Sequence, residues 1–274
     1  MTTATLDRAA TPGRIQGRYG FRAVAQMEWL KLRSVRSTWW TLLVFAAGMI
    51  GLAVLVMIHQ RWATMSAADR ASFDPTNDSY AGLATGQLAL GVLGVLAVTS
   101  EFSSGMIRAT FAAAPRRPLV LAAKAAIVAA VALVAGEILA FVAFGVGEAV
   151  LKSPAPHAAL GQPGVLRAVL MAGAYPALIA LIGLGLGALI RHTAGAISAV
   201  VGVLFVLPLI LVPLGTSIQN SAGQFMPMLI AENSLTAVKP VAHSLSPGVG
   251  FALLCGYAVV ALAVGTWAVA RRDA

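Results

Sequence analysis

The best functional clue in the sequence is one short amphipathic and basic segment, residues 101–118 (EFSSGMIRATFAAAPRRP). It separates two long apolar runs, residues 80–100 and 125–151, each long enough to cross a bilayer. The interruption is therefore expected at a membrane surface. Pro118 suits the first turn of the helix that follows.

The centre of this segment predicts a short amphipathic helix. Ser103 or Ser104 can cap its start, because a hydroxyl oxygen accepts a bond from a free backbone N–H. Ile107 and Phe111 are four residues apart and share a face, while Arg108 points elsewhere. If the helix continued from the span before it, Glu101, Gly105 and Arg108 would also share one face, which would suit docking on a partner.

This segment resembles the permease subunits of short, six-span ATP-binding-cassette exporters. In that family Glu, three residues, Gly, a short helix and then Pro with Arg follow the second span. Here these are Glu101, Gly105, Pro115 and Arg116, although Met106 stands where the family often has Thr. The resemblance implies that Ser103 to Phe111 is a coupling helix docking on a separate ATPase subunit. The coupling residues that it implies are Glu101, Gly105, Met106, Ile107, Arg108 and Phe111.

The sequence contains none of the motifs of common catalytic or cofactor sites. It has no GxxxxGK[ST] loop for ATP, no HExxH and no GxSxG. The four histidines stand far apart, at positions 59, 157, 192 and 243. The glycines of residues 183–187 (GLGLG) lie inside an apolar run with no strand before them. Close helix packing is therefore a better interpretation than a dinucleotide-binding loop. We therefore expect no catalytic, metal or cofactor site, and ATP hydrolysis in a partner subunit.

Glu137 is the second candidate for chemistry, because it lies well inside an apolar run. A carboxylate at membrane depth costs several kcal/mol unless it is paired, hydrated or protonated. It therefore either lines a translocation path, or fixes helix packing through a hydrogen bond. The sequence leaves both interpretations open.

Composition defines the class of protein. Of the 274 residues 59% are hydrophobic and 11% are charged, with a mean hydropathy of +0.85. Such a chain is predicted to be an integral membrane protein with about six spans. The net charge of +9 is assigned to contact with lipid headgroups and not to nucleic acid, because the cations crowd the span ends. The single cysteine, Cys255, excludes an internal disulfide.

The chain divides into a polar tail (residues 1–20, predicted to be disordered), an interfacial amphipathic helix (21–37) and one transmembrane domain (38–274). The predicted fold is all-α. The six predicted spans are 38–58, 80–100, 125–151, 165–190, 194–214 and 249–270. Between the last two spans, residues 224–238 predict a short amphipathic helix on the outer side.

The distribution of cations predicts that both termini are cytoplasmic. In this orientation fourteen Lys and Arg lie inside and five outside. This bias follows the positive-inside rule, and the opposite orientation reverses it. The predicted location is the cell membrane, with residues 59–79 facing outward.

The leading hypothesis is a permease subunit of an ATP-driven exporter. The resemblance implies that two copies, or one copy and a related permease, combine with two ATPase subunits. The alternatives are a membrane anchor or sensor without transport activity and, with less support, a membrane-embedded enzyme. The substrate is not encoded in any recognisable motif.

Overall fold

The computed structural model describes residues 20–60, 62–237 and 244–272, and all regular secondary structure in these ranges is helical. The predicted tail, residues 1–20, lies outside the described residues apart from Gly20. Six helices are long and apolar enough to cross a membrane. The chain is therefore a multi-pass, all-α membrane protein, and this prediction is confirmed.

Thirteen α-helices follow one another in the described ranges. They are α1 (Phe21–Ser34), α2 (Arg36–His59), α3 (Ala67–Ser72), α4 (Pro75–Asp78), α5 (Leu83–Ser103), α6 (Met106–Ala113), α7 (Arg117–Val150), α8 (Val165–Ile190), α9 (Thr193–Val201), α10 (Leu207–Leu211), α11 (Thr216–Gly223), α12 (Pro227–Leu235) and α13 (Pro247–Arg271). A π-helical turn (Gly202–Val206) joins α9 to α10, and a 3-10 turn (Val212–Leu214) after α10 completes the fifth span. Another 3-10 turn covers Trp62–Thr64.

The third span differs most from its predicted bounds. It begins at Arg117 and not at residue 125, and Pro118 lies in its first turn, as expected. The predicted start at residue 125 directly follows Lys124, whose charge interrupts the apolar run. Lys124 is in fact 96% buried inside the bundle, so a charge there does not mark the start of the span.

Helices α5 and α8 form the centre of the bundle. Some 67% of the most apolar window of α8 and 61% of that of α5 is buried, against 17–33% for the other four spans. Helix α8 packs against α5, α7 and α13. The outer spans keep large exposed apolar side chains, such as Leu43, Leu209 and Val260, which suit contact with lipid.

Glycine allows α5 and α8 to approach this closely. A Cβ atom on Gly183 would lie 2.4 Å from the carbonyl oxygen of Gly91, and one on Gly94 would lie 1.8 Å from that of Ala180. Only hydrogen can occupy such positions. The glycine run at residues 183–187 therefore serves helix packing, as predicted.

The fifth span is irregular around its two prolines. The π-helical turn Gly202–Val206 comes directly before Pro208, and Pro213 lies in the 3-10 turn. A proline has no N–H to donate and its ring crowds the preceding turn, so the backbone there departs from α geometry.

One end of the bundle gathers the segments that were predicted to be cytoplasmic. Arg117, at the start of α7, donates to the carbonyl of Val269 at 3.1 Å. Arg191, which follows α8, donates to that of Ala268 at 3.1 Å, and its guanidinium lies 5.0 Å from the Phe102 ring. Both arginines stabilise the carbonyl end of α13.

The opposite end gathers α4 and α12. An Asp74 carboxylate oxygen accepts from the Ala237 N–H at 2.6 Å, and Arg167 donates to the Thr236 carbonyl at 2.6 Å. Two short helices, α11 and α12, do stand between the last two spans. The predicted helix 224–238 is shorter, because α12 covers only Pro227–Leu235; residue 238 lies outside the described residues.

A buried polar cluster as the candidate functional site

Five polar side chains from four helices meet at the end of the bundle that carries α1 and α6. This polar cluster consists of Glu28 and Lys31 from α1, Glu101 from α5, Thr110 from α6 and Lys124 from α7. Only Glu28 and Lys31 are close in sequence. Glu28, Glu101, Thr110 and Lys124 are at least 96% buried, and the Lys31 side chain is 23% exposed.

Glu101 is the central acceptor of the polar cluster. Its Oε1 atom lies 3.0 Å from the Nζ atom of Lys31 and 2.7 Å from that of Lys124. Its Oε2 atom accepts from the Thr110 hydroxyl at 3.2 Å. One carboxylate near the end of α5 thus connects to three other helices.

Glu28 supplies the second carboxylate. Its Oε1 atom lies 3.0 Å from the Lys31 Nζ atom, and its Oε2 atom accepts from Lys124. Lys31 also donates to the Thr110 hydroxyl at 2.9 Å. Each lysine therefore bonds to both carboxylates, and the threonine closes the network.

The charges of the polar cluster cancel, because two ammonium groups face two carboxylates. This balance allows four ionic groups to lie almost entirely out of water, where an unpaired charge costs several kcal/mol. Lys124 does not extend to the surface of the bundle. Its ammonium instead remains inside, because Glu28 and Glu101 replace the water that it loses.

An apolar contact supports the same arrangement of helices. Val24 of α1 packs in one buried group with Ala114, Val120 and Ala123, and Phe111 lies against it. The group is small, so few apolar contacts hold α1 in place. The position of α1 therefore depends strongly on the ionic contacts of Glu28 and Lys31.

The predicted coupling residues divide into an exposed and a buried set. Gly105, Met106 and Arg108 are exposed on the surface of α6 and its start. Ile107 is buried, and Phe111 is half-buried below the Arg117 guanidinium, 5.3 Å from it. The amphipathic character predicted for this helix is confirmed.

The condition for a shared face of Glu101, Gly105 and Arg108, a continuous helix through all three, is not met. Helix α5 ends at Ser103 and α6 begins at Met106, because Gly105 adopts a left-handed conformation with φ of 71°. Glu101 is only 2% exposed, so it lies inside while Arg108 lies outside. The three residues share no docking face.

The predicted serine cap of α6 is also wrong. Gly105 holds the N-cap position, and no side chain caps the helix. The hydroxyls of Ser103 and Ser104 instead donate to the Ser100 carbonyl, at 3.1 and 2.7 Å. They close the end of α5, which leaves glycine to make the turn between the two helices.

Glu137 lies on α7 where that helix meets α8. A Cβ atom on Gly173 would lie 2.5 Å from the Glu137 carboxyl carbon. The Oε2 atom of Glu137 is buried and has no hydrogen-bond partner among the described residues. Burial and, second to it, the Glu137 charge raise the pKa of the nearby Tyr80 phenol. The position of Glu137 at a close helix contact is compatible with both interpretations given for it above, a translocation path and helix packing.

Four members of the polar cluster were not identified as site residues from the sequence. They are Glu28, Lys31, Thr110 and Lys124. A partial signal existed for Glu28: it is the one acid of residues 21–37, a segment rich in cations. The contacts that join α1 to the other helices are distant in sequence: Lys31 and Glu101 are 70 residues apart, and Glu28 and Lys124 are 96 apart, so no local pattern reveals them.

The chain matches no known protein-family model and no curated protein sequence. The geometry of the polar cluster and of α6 therefore carries the functional argument.

Proposed function

We propose that this chain is the permease subunit of an ATP-driven exporter, with α6 as the helix that docks on a separate ATPase. The observation that carries the proposal is the polar cluster. It joins α6, through Thr110, to α1 and to two membrane spans, while the opposite face of α6 stays exposed. A helix that only connects two spans has no need of such a buried hydrogen-bonded attachment to charged groups.

The arrangement suits the transmission of movement. A force applied to the exposed face of α6 reaches Thr110, whose hydroxyl contacts both Glu101 and Lys31. Glu101 lies near the end of α5, and its contact with Lys124 continues into α7. Because closely packed interiors resist deformation, α1, α6 and the ends of α5 and α7 would move as one body.

The proposal includes an orientation and an assembly. Both termini are cytoplasmic, α1 lies along the inner membrane surface, and the chain acts in the cell membrane. Two copies, or one copy and a related permease, would combine with two ATPase subunits. The chain itself performs no ATP hydrolysis.

Photocrosslinking from α6 tests the proposal. A benzophenone amino acid at Ala109, which is exposed next to Arg108, should capture a neighbouring polypeptide in native membranes. We expect the captured polypeptide to contain a GxxxxGK[ST] loop and to bind ATP. The control carries the same amino acid at the exposed Ala71, in α3 at the other end of the bundle, and should not capture it.

Substitution of Arg108, the exposed charge of α6, provides a second test of the docking face. With the captured ATPase reconstituted, Arg108→Glu should lower association about tenfold, while Arg108→Lys should retain most of it. A cytoplasmic ATPase captured at Ala109 also supports the orientation. Capture of no P-loop protein by an inserted, folded variant would refute both the docking face and the proposed function.

A further inference from the structure

A second site lies at the end of the bundle opposite the polar cluster. A cavity of about 230 Å³ opens there between α4, the start of α5, α8 and α12. Its lining residues are Asn77, Asp78, Tyr80, Ala81, Leu83, Ala84, Gln87, Tyr175, Met228, Ala231, Glu232 and Leu235. We propose that this cavity binds a small organic cation with an apolar body.

The polar groups at the inner part of the cavity already satisfy one another. Tyr175 and Gln87 are 98% and 99% buried, and the Tyr175 hydroxyl donates to the Gln87 carboxamide oxygen. The Gln87 amide donates to the Ala84 carbonyl at 3.2 Å. These groups are neutral and hydrogen-bonded to one another, so they hold this side of the cavity in place and do not themselves favour a charged ligand.

The charge of the cavity is negative. Asp78 is half-buried and accepts from the Gln60 amide at 2.9 Å, and Glu232 is exposed. Neither forms an ion pair with a residue that the structure describes, and no Lys or Arg among those residues lines the cavity. Two carboxylates without a described counter-ion favour a positively charged occupant.

The remaining lining selects the kind of cation. Leu83, Met228 and Leu235 are apolar, and Tyr80 and Tyr175 add aromatic rings. Carboxylates and aromatic rings together are the groups that proteins use to bind alkylammonium ions, whereas a hydrated metal ion prefers a set of oxygen ligands. The volume lies below the range of about 300–1,000 Å³ for drug-sized ligands, so the ligand is small.

Calorimetry with the purified chain in dodecyl maltoside tests the site. Benzyltrimethylammonium is the probe, benzenesulfonate its anionic counterpart and benzyl alcohol its neutral one. We expect saturable binding of the cation only, with a Kd on the order of 0.1 mM. Dodecyl maltoside contains no ammonium group and therefore does not compete for the site. Glycerophosphocholine, the soluble form of a lipid headgroup, is added as a competitor to distinguish a site for a free cation from a site for a lipid headgroup. Weak competition is expected.

Near-isosteric variants assign the binding to this cavity. Asp78→Asn and Glu232→Gln should each raise the Kd about tenfold, and Ala84→Phe should abolish binding by filling the cavity. Asp69→Asn is the matched control, because Asp69 is exposed on α3 and does not line the cavity. Thermal melting establishes that each variant is folded.

Two results would overturn the proposal: no saturable binding by the folded wild-type chain, or a Kd that neither carboxylate substitution changes. Displacement by glycerophosphocholine at equal concentration would assign the site to a lipid headgroup instead. The experiment requires no ATPase, so its failure is distinguishable from failure of the proposed exporter function.

Discussion

Removal of one charge from the polar cluster should destabilise the fold far more than removal of an exposed charge. The perturbation is Glu101→Gln, which keeps the shape of the side chain and leaves two ammonium groups facing one carboxylate. At 2.7 and 3.0 Å each ammonium contact of Glu101 carries a gross attraction of about 6 kcal/mol at an effective dielectric constant near 20. Much of this attraction is offset by desolvation of the charges.

The net loss in the free energy of unfolding depends on which charges remain buried without a partner after the substitution. Breaking a buried ionic contact by removing one partner typically costs about 3–5 kcal/mol, because the other charge is left uncompensated. Lys124 is almost fully buried and cannot reach water, whereas the Lys31 side chain is 23% exposed and can regain some hydration. We therefore expect Glu101→Gln to lower the free energy of unfolding by about 3–5 kcal/mol, and Lys124→Met to lower it by a similar amount.

The double variant separates charge balance from shape. Glu101→Gln with Lys124→Met restores neutrality, because Glu28 and Lys31 remain as a pair. Its loss should be smaller than the sum of the single losses by about 2 kcal/mol. Unfolding equilibria in mixed micelles of increasing dodecyl sulfate content, followed by circular dichroism, measure all three free energies.

Arg108→Gln is the matched control, since Arg108 is exposed on α6, and its effect should stay within about 0.5 kcal/mol. The reasoning fails if Glu101→Gln is as stable as this control. Strict additivity of the two single losses would also contradict it, because the two side chains would then not act as a coupled pair.

Two further predictions concern helix packing and pH. Gly183→Ala should lower the free energy of unfolding by more than about 2 kcal/mol, because its Cβ atom would meet the Gly91 carbonyl at 2.4 Å, while Gly51→Ala, in open space on α2, should be neutral or slightly stabilising. The same unfolding equilibria check both. Burial first and Asp74 second raise the pKa of Asp78 to about 6 from 3.8. The unfolded chain therefore releases this proton at lower pH than the native chain, and stability should fall as pH rises from about 4 to 6. Asp78→Asn should abolish that fall and gain about 1–2 kcal/mol at pH 7, after allowance for solvent screening; an unchanged pH profile would contradict the assignment.

The spans were predictable because each needs about twenty apolar residues, and that requirement is written locally in the sequence. The boundary between the predicted spans 165–190 and 194–214 agrees with the structure to within one residue: α8 ends at Ile190, Arg191 follows it with φ of 60°, and the His192 side chain accepts from the Gly195 N–H. Polar residues between apolar runs mark such turns. The misplaced start of α7 shows the limit, because pairing of Lys124 depends on residues far away in the sequence.

The candidate site was predictable only as a location. A break in hydrophobicity marked residues 101–118, and Glu101 was selected within them. The inward direction of Glu101 was not predictable, because it depends on the left-handed turn at Gly105, and glycine permits that conformation without requiring it. The partners from α1 were not predictable either, since an amphipathic basic helix is compatible with a position in the lipid headgroups.

The position of α1 depends more on the polar cluster than on apolar packing. Only Val24 and Glu28 of α1 are buried, so hydrophobic burial holds this helix weakly. A buried ionic network adds little net stability compared with apolar packing, but it penalises every arrangement in which a carboxylate or ammonium loses its partner. Glu28 in α1 and Lys124 in α7 can satisfy each other in one register only. In the proposed function, a force on α6 would therefore reach α1 through Thr110 and Lys31, and the contacts of Glu28 and Lys31 would make α1 move together with α6.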